Sequence, residues 1–352
     1  MPRYGMDEKM RIMSEKPLNA ETPHEYLRSW ITANSKFFAR NQAQIPARRA
    51  DLSRWRLSVE GEVEFAFEMG YEDILGMARS IRANTLECSG NGRSLLTEKA
   101  RGNPWTIGGV GNAVWGGVLL GDILKMAMPK EGAGHVSFEG FDKPLGSAGI
   151  RFIRSIPLAK ALTETLLAYE MNGDPLPPKH GFPLRALVLG WTGVSSVKWL
   201  NRIIVRKEPY NGFYMDKVYR IFGRGEAPEE GTVVTALKVK SVITRPLSGE
   251  RLPKGPVNIL GAAWAGEADI AGVEVSTDGG ESWAAAELIG PSSRFAWRQW
   301  QHPWKAIDQG RFTLLSRATD TAGNVQPERA SWNVLGYGNN GVREHAVTVE
   351  IS

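Results

Sequence analysis

The chain has 352 residues, 42% hydrophobic and 23% charged, with a formal net charge of +5. These are the proportions of a globular protein of about two domains; they exclude intrinsic disorder and a fibrous repeat. No run approaches the ~18 apolar residues of a membrane-spanning helix, and the mild positive balance, spread rather than gathered into a basic stripe, argues against a nucleic-acid partner.

Taken in chain order, residues 1–20 read as an irregular, Met-rich arm without the apolar core of a secretory signal. That leads to a cytoplasmic expectation, or a periplasmic one if a signal has been removed. Thr22-Pro23 with Glu25 reads as a helix start, with Thr22 as N-cap. Phe37–Asn41 is a loop by composition. From Trp55 to Phe67 the alternation predicts two short strands around Gly61. A short helix is expected over 71–78. A strand over 79–88, with Ile81, Ala83 and Thr85 on one face, runs into the turn Ser89-Gly90-Asn91-Gly92-Arg93. A helix is expected within 115–128, and strands over 135–141, 186–189 and 197–205.

The composition changes at 223–231, Gly-Arg-Gly-Glu-Ala-Pro-Glu-Glu-Gly, which reads as a linker. Beyond it, short alternating strands recur from 238 to 351, with Thr277-Asp278-Gly279-Gly280 as a hairpin turn. About seven strands in this stretch is the pattern of an immunoglobulin-like sandwich.

Cys88 is the one cysteine, so an intramolecular disulfide and a multi-thiolate iron–sulfur cluster are excluded. A cysteine after a strand is commonly a small core residue. Here the glycine turn offers backbone N–H groups and Arg93 a positive charge, both of which favour a thiolate. Cys88 is therefore a candidate nucleophile or soft-metal ligand, although no histidine base is near in sequence. Arg40, Asn41, Arg93, His180, Arg185 and Lys198 fall in loops or at strand ends, and together they suit a basic anion pocket.

These segments, in this order, resemble the sulfite oxidase family of molybdenum enzymes. The blocks are Phe37-Phe-Ala-Arg-Asn41, Thr85-Leu-Glu-Cys-Ser-Gly-Asn-Gly-Arg93, Phe138-Glu-Gly-Phe-Asp142, Leu167-Ala-Tyr-Glu-Met-Asn-Gly173, His180-Gly-Phe-Pro-Leu-Arg185 and Val197-Lys-Trp-Leu200. Asp278-Gly-Gly-Glu-Ser-Trp283 and Trp332-Asn333 extend the match to the C-terminal part. The resemblance implies an α+β molybdopterin-binding domain of the sulfite oxidase type over 21–225, followed by an all-β immunoglobulin-like dimerisation domain over 232–352. It implies molybdenum-molybdopterin as cofactor, with Cys88 as the metal's thiolate ligand, a sound partner for a thiophilic metal. Phe38, Arg40, Asn41, Asp142, His180, Arg185, Ser196 and Lys198 match positions that hold the pterin and its phosphate. Arg40 and Arg93 match oxyanion-binding arginines, and Tyr219, rather than Tyr210 or Tyr214, matches the catalytic tyrosine.

The implied reaction is oxidation of sulfite to sulfate with oxygen from water. The alternatives are a sulfane or thiosulfate-type substrate or another oxyanion on the same cofactor, and, in a different class, a non-catalytic two-domain binding protein. No haem or flavin domain is expected in the chain, so electrons pass to an external acceptor such as a cytochrome c, and a homodimer is expected. Three positions depart from the vertebrate and plant pattern. Leu335 stands where an arginine reaches the substrate, Gln42 replaces a histidine, and Gly92 an arginine. Loss of one charged hydrogen bond costs ~1.5–3 kcal/mol, unless Arg343 or Arg294 replaces it.

Overall fold

A computed structural model describes residues 3–46, 51–143 and 149–352. The N-terminal segment is not irregular. β1 (Arg11–Glu15) and β2 (Leu18–Glu21) form an antiparallel hairpin, extended by β3 (Ala39–Arg40). Met6, Met10, Leu18, Ala20 and Ala39 supply its buried cluster, spaced too irregularly to show as a period. Thr22 caps no helix: its hydroxyl donates to the Lys36 carbonyl at 2.7 Å, and only a single 3-10 turn, His24–Arg28, follows.

The first domain continues with β4 (Arg56–Gly61), β5 (Phe67–Gly70), α1 (Tyr71–Leu75), β6 (Ser80–Glu87), β7 (Val110–Leu119) and α2 (Leu120–Ala127). It is completed by β8 (His135–Gly140), β9 (Ile153–Pro157), α3 (Leu158–Thr163), β10 (Thr165–Met171), β11 (Asp174–Pro175), β12 (Arg185–Val188) and β13 (Leu200–Arg206). One five-stranded sheet runs β11-β10-β7-β6 with β12 also on β10, and a second runs β5-β4-β13-β8-β9. Leu57, Ile123, Phe138, Leu167, Val188 and Ile203 meet in their shared core.

The helix expected within 115–128 begins only at Leu120, because Val110–Leu119 is a strand between β6 and β10. Nearly all of its residues are buried, which erases the period-2 signal. Gly117 permits the close pairing: a Cβ there would lie 2.1 Å from the Leu167 carbonyl oxygen. On β6, Ile81 is exposed, and burial sets in only from Ala83–Asn84 toward Glu87.

The segment expected to be a free linker is the tip of a hairpin. After α4 (Phe213–Asp216), β14 (Arg220–Ile221) pairs with β15 (Thr232–Val233), and the Arg220 guanidinium donates to the carbonyls of Glu229 and Gly231.

The second domain comprises β16 (Lys240–Arg245), β17 (Arg251–Leu252), β18 (Gly255–Trp264), β19 (Ile270–Ser276), β20 (Ala284–Ala285), β21 (Glu287–Ile289), β22 (Arg298–Ala306), β23 (Gly310–Asp320) and β24 (Val347–Ile351). A four-stranded sheet, β16-β18-β22-β21, and a five-stranded sheet, β17-β24-β23-β19-β20, share one core. Thr277–Gly280 does lie in the hairpin connection between the antiparallel strands β19 and β20, where the Asp278 carboxylate accepts from the Ser276 and Ser282 hydroxyls.

Trp300 is fully buried and lies against Gly261, where a Cβ would sit 2.0 Å from its Cζ2. Overpacking of this kind costs ~1–3 kcal/mol. Gly261→Ala is therefore expected to lower the calorimetric melting temperature of the second domain by several degrees; an unchanged melting temperature would show that the indole moves freely.

Candidate active site

Cys88 directly follows β6. Its N–H donates to the Gly109 carbonyl at 2.8 Å, and its own carbonyl accepts from Asn91 N–H at 2.8 Å, which closes the turn. Gly92 has a φ of +81°, and a Cβ there would meet Asn339 and His345 of the second domain at 3.0 and 3.1 Å. That close approach explains glycine at this position.

Cys88 borders a cavity. Phe38, Arg40, Asn41, Asp142, His180, Arg185, Ser196, Lys198 and Tyr219 line the same cavity. Phe38 stacks on Phe37 at 5.2 Å and meets Trp105 edge-on. The N-terminal sheet presents Arg40, whose guanidinium donates to Asn19 Oδ1 at 3.1 Å and to the Tyr219 hydroxyl at 3.4 Å. Asn41 is fixed by donation to the Leu18 carbonyl at 2.7 Å. The Ser196 hydroxyl accepts the Val188 N–H at 3.1 Å.

A further part of the lining is cationic. Arg185 donates to the carbonyls of His180 and Ser196 at 3.0 and 3.1 Å. Lys198 donates to the carbonyls of Arg40 and Lys179, both at 3.1 Å, and to the Asn41 side chain. Among the described residues these cations are bonded to neutral oxygens rather than to carboxylates, and His180 Nε2 has no partner. Burial therefore pushes Arg185 down to about 9. Burial, reinforced by Arg185, pulls Lys198 well below its usual range. His180 is driven well below 6.5 by burial and then by Lys179, Lys198 and Arg185. Burial raises Asp142, while its own N–H, Lys198 and Arg151 draw it back.

The Cys88 thiol reverses its expectation. Burial pushes it up, and this outweighs Arg40, the Gly90 backbone and Arg93, which pull it down. A metal cation bound at the sulfur would favour the thiolate.

Tyr219 has a φ of +59°, a left-handed conformation unfavourable for a bulky residue. Tyr337 of the second domain stacks on its ring at 5.4 Å and 12°, Arg154 approaches the ring at 5.7 Å, and Gln42 Nε2 donates to its hydroxyl at 2.5 Å. Tyr210 lies beside Arg206 and Tyr214 packs on Phe152; neither lines the cavity.

Arg93 does not border the cavity. Its guanidinium donates to the carbonyls of Leu335 and Asn103 at 2.8 and 2.7 Å and approaches the Tyr337 ring at 5.3 Å. Arg343 and Arg294 do not replace the charge absent at Leu335, because they are bound to Glu328 and Glu164. Leu335 itself packs in the apolar cluster of Tyr219 and Tyr337.

The sequence reading missed Arg154, Tyr337 and Lys179. A charged residue inside the short apolar-rich segment Ile153–Pro157 was the available signal for Arg154, which is itself buried. Nothing local marked Tyr337.

Among the described residues no group of three or more His, Cys, Asp or Glu could hold a metal ion. A metal at Cys88 would thus take one protein ligand and owe the rest of its coordination to an organic group. Unneutralised buried cations and an unpartnered imidazole nitrogen suit a phosphate on that group. Such a site would suit an oxidoreductase that binds molybdopterin. Residues 42–214 match the family described as "Oxidoreductase molybdopterin binding domain", and residues 232–350 match "Mo-co oxidoreductase dimerisation domain".

The chain is 37% identical to human mitochondrial sulfite oxidase over 371 residues, covering 97% of this chain and 66% of that one. It is 32% identical to the sulfite oxidase of Arabidopsis thaliana over 365 residues, covering 93% of this chain and 91% of the relative. The crystal structure of the sulfane dehydrogenase SoxCD from Paracoccus pantotrophus is similar with a TM-score of 0.84 and 29% identity, covering 99% of this chain and 90% of that one. The chain belongs to the sulfite oxidase family of molybdopterin-dependent oxidoreductases. It spans slightly less than two thirds of the length of the human relative.

Proposed function

We propose that the protein oxidises sulfite to sulfate with oxygen from water and passes the electrons to an external acceptor such as a cytochrome c. One observation carries this reading: a single buried thiol and an unneutralised cationic wall face the same cavity. Residues 21–225 form the catalytic domain. Residues 232–352 form an immunoglobulin-like sandwich that joins two copies as a homodimer.

Cys88 holds the metal, and Phe38, Asn41, Asp142, His180, Arg185, Ser196 and Lys198 hold the pterin and its phosphate. Bound there, molybdenum-molybdopterin supplies two-electron oxidation coupled to oxygen transfer from water. Arg40, between Tyr219 and the Cys88 loop, binds the oxyanion. Tyr219 orients it through its hydroxyl, which Arg40 and Gln42 hold in place. Arg93 acts one step back, tying the cysteine turn to the second domain. With Leu335 apolar, Arg40 is the one arginine of the substrate set that keeps a place at the cavity, which predicts weaker retention of the sulfite dianion.

The same feature, with the likeness to a sulfane dehydrogenase, favours a second reading, a sulfane-sulfur substrate with less charge at the reacting sulfur. The test is sulfite-dependent reduction of ferricyanide by protein of measured molybdenum occupancy. Turnover with an elevated KM supports sulfite. No turnover at full occupancy rejects sulfite and directs the assay to sulfane sulfur.

A further inference from the structure

The segment that carries Cys88 is gripped from outside its own domain. At its start, Thr85 N–H donates to the Phe295 carbonyl, and Trp297 N–H donates to the Thr85 hydroxyl, both at 2.8 Å. At its end, Gly338 N–H donates to the Ser89 carbonyl at 2.9 Å, and Asn339 Nδ2 to the Gly92 carbonyl at 2.8 Å. Between them, Glu87 is buried with its carboxylate fully engaged. Lys240 Nζ donates to Oε1 at 2.6 Å and Trp264 Nε1 to Oε2 at 3.0 Å, and Asn91 Nδ2, from the turn itself, also donates to Oε1 at 3.0 Å.

Cys88 borders the basic cavity and Glu87 does not. Successive side chains of an extended segment point to opposite sides, so fixing Glu87 fixes the direction of its neighbour. The Lys240 side chain is 2% exposed and that of Glu87 9%, so neither charge can turn to solvent if the other is lost.

We propose that the second domain is a structural half of the metal-ligand loop, with Lys240 and Trp264 acting through Glu87 as positioning residues for the Cys88 thiol. This rests on the reading of Cys88 as the metal ligand. It gives the dimerisation domain a role inside each subunit, independent of any contact between subunits. Lys240 is a positioning residue, since it touches neither the cavity nor the reacting atoms.

The experiment uses the full chain made in a host that synthesises the cofactor. Lys240→Met, Glu87→Gln and the double variant are compared by hydrogen exchange over residues 85–93, by molybdenum content, and by the thiolate-to-metal absorption of the loaded enzyme. Lys240→Met, which strands a buried carboxylate, is expected to speed exchange of the loop amides on the order of a hundredfold and to shift the absorption band. The double variant, with amide facing thioether and no buried charge, is expected to restore loop exchange to within a few-fold of wild type. Loop exchange and absorption in Lys240→Met equal to wild type would overturn the clasp. If that variant fails to fold, Trp264→Phe, which removes the N–H donor together with part of the buried ring, is read the same way; unchanged exchange and absorption there overturn it equally. Loop exchange needs no metal, so wild-type protein without molybdenum strikes at the reading of the site, whereas an unaffected loop in the variants strikes at the clasp.

Discussion

Cys88→Ser is expected to abolish turnover, lowering kcat by at least about a thousandfold, while leaving the fold intact. The side chain is buried in a cluster with Leu86, Trp105 and Leu187, and serine is smaller, so the cost to stability is modest. The cost to chemistry is large, because an alkoxide does not replace a soft thiolate on a thiophilic metal. The residues proposed to hold the pterin, Arg185, His180, Lys198 and Asn41, do not depend on the sulfur, so the pterin is expected to be retained with altered metal coordination. The readouts are ferricyanide reduction, molybdenum and pterin content, and the absorption of the bound centre. Wild-type kcat in a fully loaded Cys88→Ser enzyme would remove Cys88 from the metal's coordination.

The second large effect is loss of stability in acid. His345 is buried with Nδ1 bonded to the Gly341 carbonyl at 2.7 Å and Nε2 without a partner. Burial, and then Lys240, push it down to about 3. In the unfolded chain the same imidazole titrates near ~6.5, so between these values the unfolded state binds the proton that the native state refuses. The contribution of His345 is thus fully present above pH ~6.5 and is lost as pH falls toward 3, by about 1.4 kcal/mol per pH unit and on the order of 4 kcal/mol across the window. His180 and His24, both lowered chiefly by burial, act in the same direction. Urea midpoints measured from pH 7.5 to 4.5 should fall steadily below about 6.5, and His345→Gln should flatten part of that slope. A flat wild-type profile would mean that His345 is protonated in the native state.

The sheet-rich character and the strand into Cys88 were legible locally, as alternation and as a glycine turn, and so were the cations Arg40, His180, Arg185 and Lys198 beside their loops; Phe38, Asp142, Ser196 and Tyr219 carry no such mark and were reached only through the family resemblance. The central strand Val110–Leu119 was not, because burial on both faces removes the alternation. The N-terminal hairpin was hidden because its few apolar residues are irregularly spaced. Arg93, expected to bind the oxyanion, does not border the cavity; composition does not reveal which carbonyls a guanidinium will meet. Its place was decided by Leu335, far along the chain. Tyr337, Trp264 and Lys240 carried no local mark for the same reason: their partners lie in the other domain.

That distance in sequence has a consequence for the order of events during synthesis. Glu87 meets Lys240 153 residues later, and Gly92 meets Asn339 247 residues later. A ribosome releases chain in order, so the first domain emerges with its cysteine turn still lacking the groups that fix it. The turn reaches its final shape only when the C-terminal strands have been made and have docked. On the proposed clasp, a chain truncated before Asn339 is expected to be a poor acceptor of the cofactor even though Cys88 and the whole cavity lining precede the break.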